Sequence, residues 1–495
     1  MISAQEHVLV AGSGITGLGV ALALGDGTRR ITLIDRDPPP PDLSPDEAFL
    51  SWERRGATQL RHSHAFLGRL NMLLRTRYPD LLAELEREGA RLFTYQDALP
   101  PPLLDSYVHQ PSDDDLCFLF SRRTTLELVL RRHAARLPGV NFITDVGVRG
   151  LISRRDENGT LVVEGLKIER GGTIKDLHAD IVVDATGRNT MFPDWLRSEG
   201  CEIAEEESPC GILYFTRHYK LRDSQDEPPR DGTPGGGDLG YIKFGVFAAD
   251  NRHFSVTLAT PEIETDLRKV IVRPEIFESI CAELPGCARW TNATRAEPVG
   301  PVHSMGNLVS VWRHYVKDTK PQALGFFALG DAAVRTNPLY GRGCSSGMVQ
   351  AHILRAALDA TPDPAERARM VARQTWIEIR PYYETMVKQD SQAIRRAEHE
   401  RDPNYRPRFR ARLMKSFAED AIMPASRGDQ MTSRALTREF HMISHPTDWL
   451  KSPSILARIL AIWAMPKALK KARGFYPPSF GPERKDMLAK LNLAG

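Results

Sequence analysis

The residues HVLVAGSGITG (7–17) indicate the fold class of this 495-residue chain. Its apolar run His7–Ala11 predicts a buried parallel strand, and the glycines after it predict a tight turn into a helix over Gly14–Leu24. A second apolar run, Ile31–Asp35, predicts the next strand. A strand, a glycine turn, a helix and a strand within about thirty residues make a βαβ unit, so the chain begins as an α/β fold.

The glycines of this turn follow the pattern GxGxxG. The first glycine permits the bend, the second lets the backbone approach a pyrophosphate, and the third lets the helix pack on the strand. Asp35 stands at the end of the second strand, where a carboxylate accepts hydrogen bonds from ribose hydroxyls and disfavours a 2′-phosphate. The pattern predicts FAD or NAD rather than NADP. We assign to this site Gly12, Gly14, Ile15, Thr16, Gly17, Asp35 and Arg36.

A second copy of the glycine pattern occupies Gly235–Gly240. The residues before it, RDGTP, do not form a strand, and no helical pattern follows. Because the phosphate-binding turn needs both a strand and a helix, we interpret this copy as a loop.

Two later segments carry the same kind of signal. SRRTTLE, residues 121–127, opens an amphipathic helix before the third element of the dinucleotide fold. A buried strand, Phe326–Gly330, ends at Asp331, and the loop NPLYGRG leads into a helix over Gly343–Leu358. There the carboxylate is placed to hold a polyol hydroxyl, and the glycines let the backbone approach a flat ring. The helix N-terminus would stabilise negative charge on a reduced flavin. Each feature also has a simpler interpretation: the arginine is solvated, Asp331 is a helix N-cap, and the glycines form a turn.

Together these motifs resemble the FAD-dependent monooxygenase superfamily built on the para-hydroxybenzoate hydroxylase fold. The resemblance covers residues 7–205 and 300–358. Within the superfamily, the motifs match best those of the branch of polyether epoxidases and related hydroxylases. GATQLRHSH (56–64) and DATGRNT (184–190) match motifs of that branch. The departures are Thr58, Asn189, Thr190 and Cys344.

The resemblance implies that Arg123 touches FAD, that Asp331 binds the ribitol, and that backbone N–H groups at Gly343 and Cys344 face the isoalloxazine ring. The further FAD contacts it implies are Arg61, Val148, Ala185, Thr186, Gly187, Pro338, Gly341 and Ser345. The catalytic residue stays open, with near-flavin candidates Arg61, His62, Tyr340 and Arg342. His62 and His64 alone are too few ligands for a metal, so none is predicted.

The predicted fold class is α/β with antiparallel additions (α+β). Residues 1–205 and 300–360 form a discontinuous Rossmann-like FAD-binding domain, and residues 206–299 form an antiparallel-sheet substrate domain. Residues 361–495 form a helical C-terminal region. We also expect a helix over Leu60–Leu85.

The bulk composition limits the partners. The net charge is only +3, which argues against a nucleic-acid binder. No stretch is apolar enough to span a membrane, and the first apolar run lacks the basic flank typical of a signal peptide, so we expect a cytoplasmic protein. The apolar helix Ile455–Ala464 is interpreted as packed on the body, with a membrane-surface helix as the alternative.

The resemblance implies an FAD-dependent monooxygenase that inserts one oxygen atom from O2 into an apolar or aromatic substrate, by hydroxylation or epoxidation, through a flavin C4a-hydroperoxide. It implies NAD(P)H as the electron donor, with a separate flavin reductase as the alternative. Tyr214, Phe215, Phe244 and Phe247 are expected to line the substrate pocket or to pack in the core.

Three other functions remain open. The main alternative is an FAD-dependent alkene reductase of geranylgeranyl-reductase type. A flavin-dependent halogenase is disfavoured because that chemistry needs a lysine before the SRxxLE region, and the first lysine here is Lys167. A non-catalytic flavoprotein ranks last.

Overall fold

The structure is a computed structural model that describes residues 5–493, except for the side chain of Thr58. The predicted mixed α/β class is confirmed. The strands are β1 (His7–Ala11), β2 (Arg30–Ile34), β3 (Arg91–Phe93), β4 (Phe118–Phe120), β5 (Val140–Ile143), β6 (Gly147–Arg155), β7 (Leu161–Arg170), β8 (Thr173–His178), β9 (Ile181–Asp184), β10 (Ala204–Pro209), β11 (Ile212–Leu221), β12 (Gly236–Asp238), β13 (Lys243–Ala248), β14 (His253–Pro261), β15 (Ala296–Met305), β16 (Val309–His314), β17 (Val316–Lys317), β18 (Lys320–Pro321), β19 (Ala323–Leu324), β20 (Phe326–Ala328) and β21 (Val334–Arg335).

Helices separate and flank these strands. They are α1 (Ile15–Leu24), α2 (Pro45–Ser51), α3 (Gly68–Arg77), α4 (Pro79–Arg87), α5 (Tyr95–Ala98), α6 (Pro101–Leu104), α7 (Arg123–Ala134), α8 (Phe192–Ser198), α9 (Pro274–Glu283), α10 (Pro285–Thr291), α11 (Gly343–Ala360), α12 (Pro364–Arg401), α13 (Phe409–Phe417), α14 (Met423–Gly428), α15 (Gln430–Phe440), α16 (Pro453–Ala464), α17 (Lys467–Ala472) and α18 (Arg484–Lys490).

A five-stranded parallel sheet, in the order β20-β9-β1-β2-β5, forms the centre of the fold. Leu9 of β1 pairs with Thr32 on one side and with Val182 on the other. Every residue of β1 is buried, as expected for a parallel strand covered on both faces. Helix α1 packs on β1 and β2, and α7 and α11 flank it. The carboxyl ends of these strands meet at one edge, which is where ligands bind in such sheets.

A second five-stranded sheet is antiparallel, in the order β12-β13-β14-β11-β15. Its alternating pattern buries one face against α9 and α10 in a separate core that includes Phe215, Tyr219, Phe254 and Phe277. Phe215, predicted either to line the pocket or to pack, therefore packs in this core. The other face presents residues of β13 and β14 to the cavity described below.

The C-terminal region is helical, as predicted. Its apolar helix α16 buries Ile459 and Ile462 in a small core with Ala421 and Ala425, so one face packs on neighbouring helices. No helix within residues 5–493 combines the length and the apolar content needed to cross a bilayer.

Two predictions of local structure are wrong. The helix expected over Leu60–Leu85 begins only at Gly68 and is broken into α3 and α4 at Tyr78. The break arises because a residue before proline is disfavoured in the helical region and Pro79 starts the next helix. The glycine stretch 235–240 is also not wholly a loop. Its residues Gly236–Asp238 form the edge strand β12 beside β13, although no helix follows it.

Candidate active site

One cavity of about 1720 Å³ opens at the carboxyl edge of the parallel sheet and continues along the second sheet. It brings together the glycine turn after β1, the start of α7 and the loop before α11, which are the three segments singled out in the sequence. The predicted cofactor residues that line it are Gly12, Gly14, Ile15, Thr16, Asp35, Arg36, Arg123, Val148, Ala185, Thr186, Gly187, Asp331, Pro338, Gly341, Gly343 and Cys344.

The glycine turn has one open glycine and two crowded ones. A Cβ on Gly14 would meet no atom within 4 Å, whereas a Cβ on Gly17 would lie 1.9 Å from the Gly12 carbonyl oxygen. Gly12 has a φ of +98° and packs against the Ala185 carbonyl. Helix α1 begins without a side-chain cap or an acidic residue in its first turn. The backbone at Gly14 is therefore a cradle that a side chain would fill, and it fits a dinucleotide pyrophosphate.

Asp35 lies beside this cradle and is already held in place. Its Oδ2 accepts a hydrogen bond of 2.7 Å from Arg54 and its Oδ1 accepts one of 3.0 Å from the Asp37 N–H. Burial alone would raise the pKa of Asp35, but Arg54 and a hydrogen bond from Ser13 outweigh it and hold the pKa below its ordinary value. The side chain stays a carboxylate whose Oδ1 has a lone pair left for a ribose hydroxyl.

A buried chain of charges joins the two ends of the cofactor site. Arg54, 3% exposed at its side chain, donates to Asp35 and lies 2.7 Å from Glu127 Oε1. Glu127 Oε2 lies 3.2 Å from Arg123 Nε. Arg123 NH1 in turn donates to the Cys344 sulfur at 3.6 Å. Arg54 was not predicted from the sequence, because it stands outside every recognised motif.

The flavin end of the site is built on the loop before α11. Burial raises the pKa of the Asp331 carboxyl, and the Arg123 guanidinium opposes the rise. Gly341 has a φ of +65°, the left-handed region that favours glycine. A Cβ on Gly343 would have Asp331 Oδ1, at 3.8 Å, as its nearest neighbour, and α11 starts without a side-chain cap. The open backbone and helix N-terminus fit a flat ring that gains negative charge.

Three of the four catalytic candidates line the cavity. His62 Nδ1 lies 3.1 Å from Thr216 Oγ1, and burial, together with His303, lowers its pKa to about 4. Arg61 does not line the cavity and instead lies 4.8 Å over the Phe49 ring. Gly17 and Ser345 are also away from the cavity surface. Their FAD contacts stay predictions.

Tyr340 and Arg342, the remaining candidates, belong to a polar network beneath the loop. The Tyr340 hydroxyl and the Asn337 amide both donate to Asp390 Oδ1, at 2.9 and 3.0 Å. The Tyr214 hydroxyl donates to Asn337 Oδ1 at 2.5 Å. Arg342 NH1 donates to the Tyr382 carbonyl at 3.1 Å. These contacts position the loop. Within residues 5–493, no cluster of three or more His, Cys, Asp or Glu side chains could hold a metal ion.

Comparison with solved structures defines the class of fold. PqsL, a probable FAD-dependent monooxygenase from Pseudomonas aeruginosa, matches with a TM-score of 0.54 and 17% identity over 79% of this chain and 98% of its own. The anhydrotetracycline hydroxylase OxyS from Streptomyces rimosus matches at 0.55 and 17%, over 89% and 77%. The myxobacterial chondrochloren halogenase CndH matches at 0.56 and 14%, over 94% and 97%. The chain has the fold of the FAD-dependent monooxygenase superfamily, which confirms the predicted resemblance.

A relative by sequence is Protein Rv3254 of Mycobacterium tuberculosis (strain ATCC 25618 / H37Rv). It is 27% identical over 382 residues, which make up 72% of this chain and 73% of the relative. No family model matches the sequence.

Proposed function

We propose that this chain is an FAD-dependent monooxygenase that inserts one atom of O2 into an apolar or aromatic organic substrate by hydroxylation or epoxidation. One observation carries the proposal: the glycine cradle, Asp331 and the start of α11 open into the same cavity as a wall of aromatic side chains. We call that part of the cavity the aromatic chamber. Its rings are those of Phe93, Phe118, Phe120, Phe244, Phe247, Trp290 and Phe440.

When bound, FAD would supply two electrons to O2 and pass one oxygen atom to the substrate. The chain's own residues hold the reactants and exclude water. Backbone N–H groups at Gly14 and at the start of α1 hold the pyrophosphate, Asp35 holds the ribose, and Asp331 holds the ribitol. The start of α11 stabilises negative charge on the ring. The chamber wall keeps the reacting carbon dry.

Hydroxyl groups beside His62 give a route for the proton that the reaction consumes. His62 Nδ1 lies 3.1 Å from Thr216 Oγ1, which lies 2.8 Å from Thr257 Oγ1. Thr257 Oγ1 donates to Ser63 Oγ at 2.8 Å. All four residues line the cavity. Each hydroxyl both donates and accepts, so the series can pass a proton along its length.

NAD(P)H is the proposed electron donor. Substrate, O2, NAD(P)H and a proton then give oxygenated substrate, water and NAD(P)⁺. A separate flavin reductase is the other source of reduced flavin. Measuring flavin reduction by NADH and by NADPH in the purified protein separates the two, since direct reduction makes a partner unnecessary.

The ion pair made by the lysine of the cavity argues against halogenation. Among the described residues, the lysine that lines the cavity is Lys243, and its ammonium pairs with Asp238. That lysine is not free for the chemistry that a halogenase requires.

The test is an isotope experiment. The FAD-loaded protein is reduced with light, without NAD(P)H, and mixed with ¹⁸O₂ and a panel of alkenes and phenols. A product that carries one ¹⁸O atom supports oxygenation. A product two hydrogens heavier, formed without O2, assigns alkene reduction instead. Quantitative hydrogen peroxide with no organic product across the panel counts against oxygen transfer.

A further inference from the structure

The aromatic chamber exposes apolar surface to the cavity. Leu104 and Phe440 both line it, and they are 44% and 45% exposed. Large apolar side chains left open inside a cavity mark a place for an apolar ligand. The chamber is bounded by α6 and by the C-terminal helices, since α14 packs against α6 and Gln430 donates to the Leu103 carbonyl at 2.7 Å.

Most charged side chains of the chamber are already neutralised by the protein. Arg289 lies 2.6 Å from Asp231. Three other ion pairs are formed by Arg230 with Asp97, Arg91 with Glu227, and Lys243 with Asp238. None of these groups requires a charge from a ligand.

Arg427 differs from all of them. It lines the same cavity, yet it forms no ion pair and donates no side-chain hydrogen bond within residues 5–493. Its Nε is buried without a partner, so it does not satisfy the carbonyls at the end of its own helix, α14. Burial lowers the pKa of Arg427, and no carboxylate acts in the opposite direction. An arginine nevertheless stays charged near neutral pH.

We infer that Arg427 anchors an acidic group of the substrate, and that the substrate is an amphiphilic organic acid with an extended apolar or aromatic skeleton. That the bound acid is a substrate rests on the proposed function. That an amphiphilic acid binds beside Arg427 rests on the cavity alone. The buried Nε of Arg427 lacks an acceptor, and an anion bound at the guanidinium would supply one. Its planar fork suits a carboxylate, which it binds through two parallel hydrogen bonds.

A matched pair of fluorescent probes tests this assignment. 8-Anilinonaphthalene-1-sulfonate is apolar with one anionic group, and N-phenyl-1-naphthylamine is its neutral counterpart. Both are titrated into the FAD-loaded protein and into three variants, Arg427→Gln, Arg230→Gln and Gly235→Trp. Gly235 lines the cavity, and a Cβ there would meet no atom within 4 Å, so a tryptophan would fill the chamber.

The inference predicts that R427Q weakens binding of the sulfonate about tenfold or more and leaves the neutral probe within about twofold. R230Q, whose arginine already has Asp97, should change neither probe by more than about twofold. G235W should exclude both. Equal binding of the sulfonate by wild type and R427Q, an equal loss of both probes in R427Q, or unchanged binding by G235W would overturn it. These are equilibrium measurements, so they stand apart from whether oxygen is transferred.

Discussion

The Asp390 carboxylate accepts a hydrogen bond of 2.9 Å from the hydroxyl group of Tyr340. Asp390 lies on the long C-terminal helix α12, and Tyr340 lies in the loop that leads into α11. The same oxygen, Oδ1, also accepts from Asn337, while Oδ2 is buried without a partner among residues 5–493. The C-terminal region therefore holds the loop at the flavin end of the cavity.

Asp390 makes the protein less stable as the pH rises. Burial, opposed by the hydrogen bonds from Asn337 and Tyr340, raises its pKa to about 6. Because the folded-state pKa exceeds the unfolded value, its stabilising contribution is complete below about pH 4 and is lost as the pH passes 6. Relative to Asp390→Asn, the wild type should lose about 2 kcal/mol of unfolding free energy between pH 4 and 7. Urea unfolding at both values measures this, and a constant difference would contradict it.

His441 acts with the opposite sign. It is 1% exposed, and its Nδ1 accepts a hydrogen bond of 2.9 Å from the Gly68 N–H, which requires a neutral ring. Burial lowers its pKa to about 4. Because the unfolded chain takes up the proton first, stability falls as the pH drops from about 6.5 to about 4. His441→Asn keeps an acceptor but does not titrate.

Relative to H441N, the wild type should lose about 3 kcal/mol over that window. Urea unfolding of the two proteins, measured in parallel, isolates this contribution from that of Asp390. A pH-independent difference would show that the histidine is not held neutral.

Arg54 should be among the costliest side chains to remove. It lies 2.7 Å from both Asp35 and Glu127, with its own side chain 3% exposed. Arg54→Met leaves two buried carboxylates without their shared cation, which should cost about 3–5 kcal/mol of unfolding free energy. The control is Arg149→Gln, which breaks an exposed pair with Glu169 and should cost less than about 1 kcal/mol. Equal effects of the two variants would show that the buried chain of charges is unimportant.

The sequence predicted the parts of the fold that depend on local patterns. The strand β1 occupies the predicted range, because a short apolar run bounded by glycine or a turn has few alternatives in an α/β fold. The break at Tyr78 also had a local signal, the proline that follows it. That signal was outweighed by the helical spacing of leucines on either side.

The contacts that complete the site had no such signal. Asp390 meets Asn337 across 53 residues and Tyr340 across 50. Helix α12 is mostly polar, so its own sequence does not show which face packs inward. That face depends on the elements that pack against the helix, and these are distant in the sequence. Arg427 also had no local signal, because an arginine in a basic helical region is normally solvated. Its position in the cavity, without a carboxylate partner, distinguishes it from the paired arginines Arg230 and Arg289.

Two glycines of the first turn should respond in different ways to alanine. Gly17→Ala places a Cβ 1.9 Å from the Gly12 carbonyl oxygen, so it should destabilise the fold itself. Gly14 has a φ of −77°, which alanine adopts freely, and open space where the Cβ would be. Gly14→Ala should therefore unfold at the same urea concentration as the wild type, and any loss of cofactor binding in it is a loss of the cradle.

The affinity for FAD of the wild type and G14A, measured by titration of flavin fluorescence, shows whether the glycine turn at Gly14 holds the pyrophosphate. We expect one FAD per wild-type chain and binding about tenfold weaker or worse in G14A, because the added methyl group separates the pyrophosphate from its backbone donors. Riboflavin, which has no pyrophosphate, should bind both proteins equally. A wild-type chain that does not bind FAD, or a G14A variant that binds it as tightly as the wild type, would contradict the account.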